Sequence, residues 1–208
     1  MGQWRLVIVL YFQLYAFNFI LSAMYTIVGL GNPGDEYELT RHNAGRVVLR
    51  EIFDLASLRL GRSERLSVGN TEINILFPDS YMNESGRAIR KFIAPEDLSR
   101  LIVVYDDIDL PLGEFKLSFG RGDGGHNGLS SIIASLDTKD FIRVRVGIAK
   151  HNFWGRLVRP QGEELSRYVL GRFSSRELAT IKQVSSLIKE ALEVVVGEGV
   201  EKAMNRFN

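Results

Sequence analysis

The chain has no cysteine. That excludes disulfides, thiolate chemistry and cysteine zinc sites. Histidine is scarce too: there are only His42, His126 and His151, with no H-x-x-x-H pair. A histidine-rich metal site is therefore not expected. No serine stands in a G-x-S-x-G elbow, so a covalent acyl-enzyme has no obvious nucleophile. An excess of charge is also missing. Apart from Arg5 near the N-terminus, Lys plus Arg and Asp plus Glu cancel. A nucleic-acid partner can then be argued only from local clustering. Repeats and low-complexity tracts are absent. What is present is 208 residues, 45% of them apolar, enough for one α/β domain with a full core.

Residues 1–23 do not belong with the rest. From Leu6 to Leu21 the chain is almost wholly apolar, broken by Gln13 and Asn18, with Arg5 before it and Ser22-Ala23 after. This has the form of a signal-peptide core and is short for a membrane span. Met24 directly precedes the first strand and would serve as an initiator. Two readings stay open: a dispensable or mis-assigned upstream start, or a targeting or anchoring segment. Both put residues 1–23 outside a domain of residues 24–208.

From Met24 onward strand and helix patterns alternate, which predicts an α/β domain with helices flanking a mixed sheet. Tyr25 to Val28 is a short buried strand. It runs into GLGNPGDEYELTRHNAG (29–45), the kind of strand-to-helix join where α/β proteins place chemistry. A helix is expected over 46–58, with Val48, Leu49, Ile52, Phe53 and Ala56 on one face. Residues 61–70 read as a loop or weak edge strand, 72–77 as a strand, and 80–93 as a turn entering a helix. LIVVY (101–105) is the clearest buried strand and delivers Asp106 and Asp107 at its end. Further strands are expected over 115–119 and 141–149, and a short helix over 129–136. Ser174 to Glu177 forms a capping box that opens a long helix, stopped by Gly197.

GLGNPG satisfies G-x-G-x-x-G, but its context is wrong for a dinucleotide site. Asn32-Pro33 makes a turn, and Asp54, about 20 residues on, falls in a helix rather than at a strand end. His42 is the most reactive candidate. With Asp106 it makes the minimal pair for activating water: the carboxylate fixes the tautomer and steadies the imidazolium. Asn32, Asn83 (in YMNESG) and Asn127 (in GGHNG) are each common turn formers, yet converging amides would hold water or polarise a carbonyl. RGDGGHNG before a helix has the form of an anion cradle. Lys116, Arg121, Arg143 and Arg145 surround it. Seven Lys/Arg lie between Arg143 and Arg172 against Glu163 and Glu164, with Phe153 and Trp154 interleaved, which suits a phosphate backbone or simply a solvated face.

Taken in order, GLGNPGDEYELTRHNAG, YMNESG, DDIDLPLG, GGHNGLSSI, RVRVGI, YVLGRF and AMNRFN resemble the bacterial-type peptidyl-tRNA hydrolase family over about residues 24–208. The resemblance implies a three-layer α/β domain, monomeric and cytoplasmic, that cleaves the ester between peptide and tRNA without metal or other cofactor. Its partner is peptidyl-tRNA, whose tRNA it recycles. It implies His42 as base, Asp106 as its orienting carboxylate, and Asn32, Asn83 and Asn127 as site amides. Tyr37 and Met82 would line the cleft, and Lys116, Arg121 and Arg145 would meet tRNA phosphate.

The chain departs from the family pattern in three places. Ser118 stands where a basic residue is usual, AKHNFWGRLVRPQG is longer and more basic than the usual connection, and residues 61–70 are short for the usual hairpin. A non-hydrolytic RNA-binding relative would be expected to have lost part of the catalytic set. All five of these residues are in place here.

Overall fold

A computed structural model of the chain describes residues 24–55, 58–151 and 154–208. The apolar segment 1–23, Ala56 and Phe153 lie outside them. In chain order the elements are β1 (Tyr25–Gly29), α1 (Ala44–Phe53), β2 (Ser63–Val68), β3 (Thr71–Leu76), α2 (Ser85–Arg90), β4 (Leu101–Pro111), β5 (Phe115–Phe119), α3 (Asn127–Leu136), β6 (Ile142–Ala149), α4 (Gly162–Val169), α5 (Ser175–Glu198) and α6 (Val200–Phe207). Single 3₁₀ turns at Arg41–Asn43 and Met82–Glu84 precede α1 and α2.

The sheet has six strands in the order β2-β3-β1-β4-β6-β5. Its centre is parallel, and β2 and β5 close the edges antiparallel. Because strand side chains alternate, the central strands feed two cores. Ile27, Ile102, Val104, Val144 and Val146 pack with Val48, Leu49, Ile188 and Leu192 on one face. Val28, Leu101, Val103 and Tyr105 pack with Ile89, Leu129 and Ile132 on the other. Helices therefore cover both faces, and the expected α/β class holds.

The register of β1 against β4 puts the loop after Gly29 beside the second half of β4, and the Leu30 N–H donates to the Val104 carbonyl at 3.0 Å. The start of α1 lies directly on this seam: a Cβ at Gly45 would come within 2.1 Å of the Val104 oxygen. Glycine is required there by contact, not by backbone angle.

Several boundaries differ from the sequence expectation. Helix α1 starts at Ala44 and ends at Phe53, because Asp54 turns left-handed with φ 51°. Residues 61–70 hold a real edge strand, β2, turned back by Gly69 at φ 56°. The helix expected to reach residue 93 is a 3₁₀ turn followed by the shorter α2. Strand β4 continues to Pro111, with its register shifting after Asp107, so Asp106 lies within the strand rather than at its end. Helices α4 and α6 add to the elements expected from the sequence.

Helix α5 runs through Gly197 and stops at Gly199, whose φ of 98° suits only glycine. The capping box at its start is as expected, with Ser174 Oγ accepting from the Glu177 N–H and the Glu177 carboxylate accepting from the Ser174 N–H. Gly197 is exposed, and a Cβ there would meet nothing. Gly197→Ala should therefore stabilise the protein by about 0.5–1 kcal/mol through helix propensity and a less flexible unfolded chain. A urea midpoint unchanged or lower than wild type would refute this.

Candidate active site

Three stretches meet at His42. The 3₁₀ turn Arg41–Asn43 presents the imidazole, β4 brings Asp106, and the loop before α3 brings His126. His42 Nδ1 lies 3.0 and 3.1 Å from the two Asp106 carboxylate oxygens. His126 Nε2 lies 3.0 Å from Oδ1 of the same carboxylate. Asp106 is 4% exposed and is held between two imidazoles whose centroids are 5.0 Å apart.

The helix end sets the tautomer of His126. Its side chain caps α3, with Nδ1 accepting the backbone N–H groups of Gly128 (3.1 Å) and Leu129 (3.3 Å). A nitrogen that accepts carries no proton, so Nε2 holds the ring's proton and donates it to Asp106. Asp106 in turn accepts from His42 Nδ1–H, which leaves His42 Nε2 as the unprotonated nitrogen of the neutral ring.

Burial alone would raise the Asp106 carboxyl, but the two histidines outweigh it and hold Asp106 well below the usual carboxylate range. For His42, burial disfavours the charged ring, yet the adjacent carboxylate wins and raises its pKa above the ordinary 6.5.

Among the described residues, His42, Asp106 and His126 also form a cluster of three potential metal donors, their ligand atoms all within 4.8 Å of one another. The scarcity of histidine in the sequence gave no hint of this grouping. The donor set fits a hydrogen-bond relay better than a cation. Coordination by His126 Nε2 would displace its proton while Nδ1 still receives two amide N–H groups.

The first amide is held by a second network. The Asn43 side chain pairs with the Asn32 peptide, Oδ1 accepting from its N–H at 2.8 Å and Nδ2 donating to its carbonyl at 3.0 Å. Asn32 Oδ1 accepts from the Met82 N–H at 2.8 Å. That bond orients the Asn32 amide and leaves its Nδ2 hydrogens for other partners. Arg46 donates to the Asn32 carbonyl (2.8 Å) and to the Pro78 carbonyl (2.6 Å). Met82 is buried against Gly128, where a Cβ would lie 2.6 Å from its sulfur and 3.0 Å from His126 Cε1. The absence of a side chain at Gly128 is what lets the Met82 wall approach His126. Asn83 follows Met82 in its turn, and Asn127 is the first residue of α3; both are exposed. The Tyr37 ring stands edge-on to Tyr81 at 6.4 Å.

A cleft of about 510 Å³ opens beside this centre. His42, Asp106, His126, Asn127, Arg121 and Arg145 line it, with Leu165, Ser166 and Val169 of α4 forming another part of its wall. Asn32, Tyr37, Met82 and Asn83 do not line that cleft. Asn32 and Met82 join the centre through their mutual bond and the Met82–Gly128 contact, Asn83 follows Met82 in its turn, and Tyr37 touches the same turn through the Tyr81 ring. Lys116 is exposed on β5 opposite Arg145, on the sheet face shared with the cleft-lining Ser118 and Arg145, but does not itself line the cleft.

The basic residues are less free than their sequence suggests. Arg145 Nε is bound to Asp107 at 2.7 Å. Arg143 is 1% exposed and donates to the Arg121 and Gly122 carbonyls, so it struts the glycine loop from beneath and does not face a phosphate. Asp123 ties the same loop through the Gly125 N–H and the Ser130 hydroxyl. Ser118 is buried on the cleft wall. GLGNPG leads through turns rather than directly into a helix, and Asp54 is a helix C-cap, so neither half of a dinucleotide site forms.

Sequence reasoning missed His126, Asn43 and Arg46 as parts of the site, and it placed Arg143 beside the glycine loop as a basic residue where the structure has it bracing that loop. A histidine directly before a helix start was a readable capping signal for His126; the ties of the others depend on the fold.

The family model for peptidyl-tRNA hydrolase matches residues 26–208. The peptidyl-tRNA hydrolase of Thermodesulfovibrio yellowstonii is 40% identical over 194 residues, covering 89% of this chain and 99% of its own. That of Rubrobacter xylanophilus is 43% identical over 186 residues, covering 87% and 98%. The crystal structure of the Acinetobacter baumannii peptidyl-tRNA hydrolase superposes with a TM-score of 0.74 at 33% identity, over 90% of this chain and 95% of that one. On sequence and fold alike, the chain belongs to the peptidyl-tRNA hydrolase family.

Proposed function

We propose that this chain hydrolyses the ester joining a peptide to the 3′-terminal ribose of tRNA, using water activated by His42. The observation that carries the mechanism is the His42–Asp106–His126 relay, which leaves His42 Nε2 as a proton acceptor. Nε2 takes a proton from water as the oxygen adds to the ester carbonyl. The tetrahedral oxyanion is met by amide N–H groups from Asn32, Asn83 and Asn127. Collapse breaks the bond to the ribose oxygen, which leaves with the proton from the His42 imidazolium, and the carboxylic acid of the peptide is released. Asp106 stays ionised throughout and stabilises the transient cation.

Tyr37 and Met82 would line the path of the substrate. Arg121 and Lys116 would meet tRNA phosphate, with Arg145 contributing less because Asp107 already holds it. In this reading residues 24–208 form the catalytic domain and residues 1–23 stand outside it. The enzyme acts as a monomer in the cytoplasm, where its substrate arises, and needs no metal. Among the described residues no helix is long and apolar enough to cross a membrane.

The test is a pH profile with peptidyl-tRNA, and aminoacyl-tRNA as the control. Only neutral His42 accepts a proton, and Asp106 raises its pKa, so turnover should fall as pH drops through a value above the ordinary 6.5. An acid limb below that value, or release from both substrates alike, would defeat the assignment. Binding of tRNA without release would move the chain to the RNA-binding class.

A further inference from the structure

We propose that Arg46 is a positioning residue that locks together the two loops bearing Asn32 and Asn83. The inference rests on the reading of those residues as site amides.

Arg46 is an improbable residue for its place. It is the third residue of α1, in the first turn, where the helix dipole disfavours a cation. It is 5% exposed, and among the described residues no carboxylate lies within ion-pair distance. Burial and the nearby Arg50 push its pKa down to about 10, and its Nε is buried without a hydrogen-bond partner. Packing alone does not demand a charge there, since the stem of a methionine would keep the contacts of the apolar part of the side chain. A cation so poorly compensated is weak support for stability, so the reason for it has to lie in what its guanidinium holds.

The guanidinium bridges two loops. Nη1 donates to the carbonyl of Asn32 in the GNPG loop, and Nη2 to the carbonyl of Pro78, four residues before Met82. The same loops meet again where Asn32 Oδ1 accepts from the Met82 N–H. The three bonds together fix the position of Asn32 relative to the turn that carries Asn83. The chain is fitted around this clamp: a Cβ at Gly31 would lie 2.8 Å from Arg46 Cδ and Nε and from Asn43 Cγ. With the planar fork gone, the loops of Asn32 and Asn83 keep, among the described residues, the single side-chain tie of Asn32 to the Met82 N–H. Amides that meet a developing oxyanion tolerate little misplacement.

The experiment compares the full chain with Arg46→Met, Arg46→Lys, Asn32→Ala and the double variant Arg46→Met/Asn32→Ala, measuring kcat and KM on peptidyl-tRNA and the thermal midpoint. Arg46→Met is expected to keep a midpoint close to wild type, the loss of a buried cation offsetting the two donors removed, while kcat falls about tenfold or more with KM nearly unchanged. In the Asn32→Ala background most of that loss should vanish, because the two act as a unit. Arg46→Lys keeps the charge but offers one nitrogen for two carbonyls, so it too should lose turnover, and it carries the test if Arg46→Met does not fold. Wild-type kcat in the folded variant, or a loss that multiplies in full with Asn32→Ala, overturns the proposal. Loss in Asn32→Ala with none at Arg46 overturns the clamp alone. Unchanged turnover in Asn32→Ala overturns the site reading and the clamp with it.

Discussion

Replacing His42 by alanine should lower peptidyl-tRNA turnover by about 10²–10⁴-fold and leave tRNA binding nearly intact. The magnitude is that of a positioned general base. Among the described residues His42 is paired with no carboxylate other than Asp106, and Asp106 is buried and committed to two donors. Affinity should survive because the phosphate-contact candidates, Arg121 in the glycine loop and Lys116 on β5, are exposed residues of other elements than the turn that carries His42. Removing the ring leaves the His126 N–H as the one side-chain donor to the Asp106 oxygens among the described residues, so a modest loss of stability is expected as well. Single-turnover release measured beside a filter-binding assay separates the two effects. Turnover within tenfold of wild type would remove His42 as the base. A parallel collapse of binding would mean that the variant had lost its site and not only its chemistry.

What could be read from the sequence was whatever depends on local rules. The capping box at Ser174, the buried run at 101–105 and the glycine turn after β1 follow from propensity, hydrophobic pattern and turn chemistry, and they are where the sequence places them. The pairing of His42 with Asp106 was legible because a reactive histidine needs a carboxylate and few were available at strand ends. The placement of Asp106 inside β4 was not, since the strand continues through an irregularity that is tolerated because β6 has glycine at 147, where a Cβ would lie 2.0 Å from the Pro111 oxygen.

Arg143 illustrates a different failure. Its charge and its position beside a glycine loop suggest a phosphate contact, as for Arg145 two residues on and on the same face of β6. What separates the two is that the Arg121 and Gly122 carbonyls take the Arg143 guanidinium and leave it 1% exposed, whereas Arg145 is only partly buried, which no local sequence rule foretells. Helices α4 and α6 are eight residues each, shorter than the stretch over which a helical hydrophobic period is told from chance, although both are amphipathic once folded. The second partner of Asp106 escaped notice because the loop that carries His126 returns to β4 only once β4 and β6 pair in parallel.

That second partner makes Asp106→Asn the more informative companion to His42→Ala. In the native site all the hydrogen bonds at this carboxylate are donated to it: by His42 Nδ1–H to both oxygens and by His126 Nε2–H to one. An asparagine offers one acceptor and one donor in the same space. His126 cannot adapt, because its Nδ1 is held by the Gly128 and Leu129 N–H groups at the start of α3, and Nε2 must therefore still donate. The asparagine oxygen is thus taken by His126, and its NH₂ faces His42 Nδ1. His42 must then accept at Nδ1 and carry its proton on Nε2, the nitrogen that should receive one from water. The same exchange in a Ser-His-Asp triad lowers turnover by about 10⁴, and a comparable loss is expected here with the fold retained. Loss of the carboxylate charge also removes what raises the His42 pKa, so the acid limb of the residual activity should move to lower pH. Nitrogen NMR of labelled histidine would show the His42 proton transferred from Nδ1 to Nε2 while His126 is unchanged. A variant that keeps turnover within tenfold of wild type, or His42 still protonated at Nδ1, would mean that Asp106 does not set the tautomer of the base.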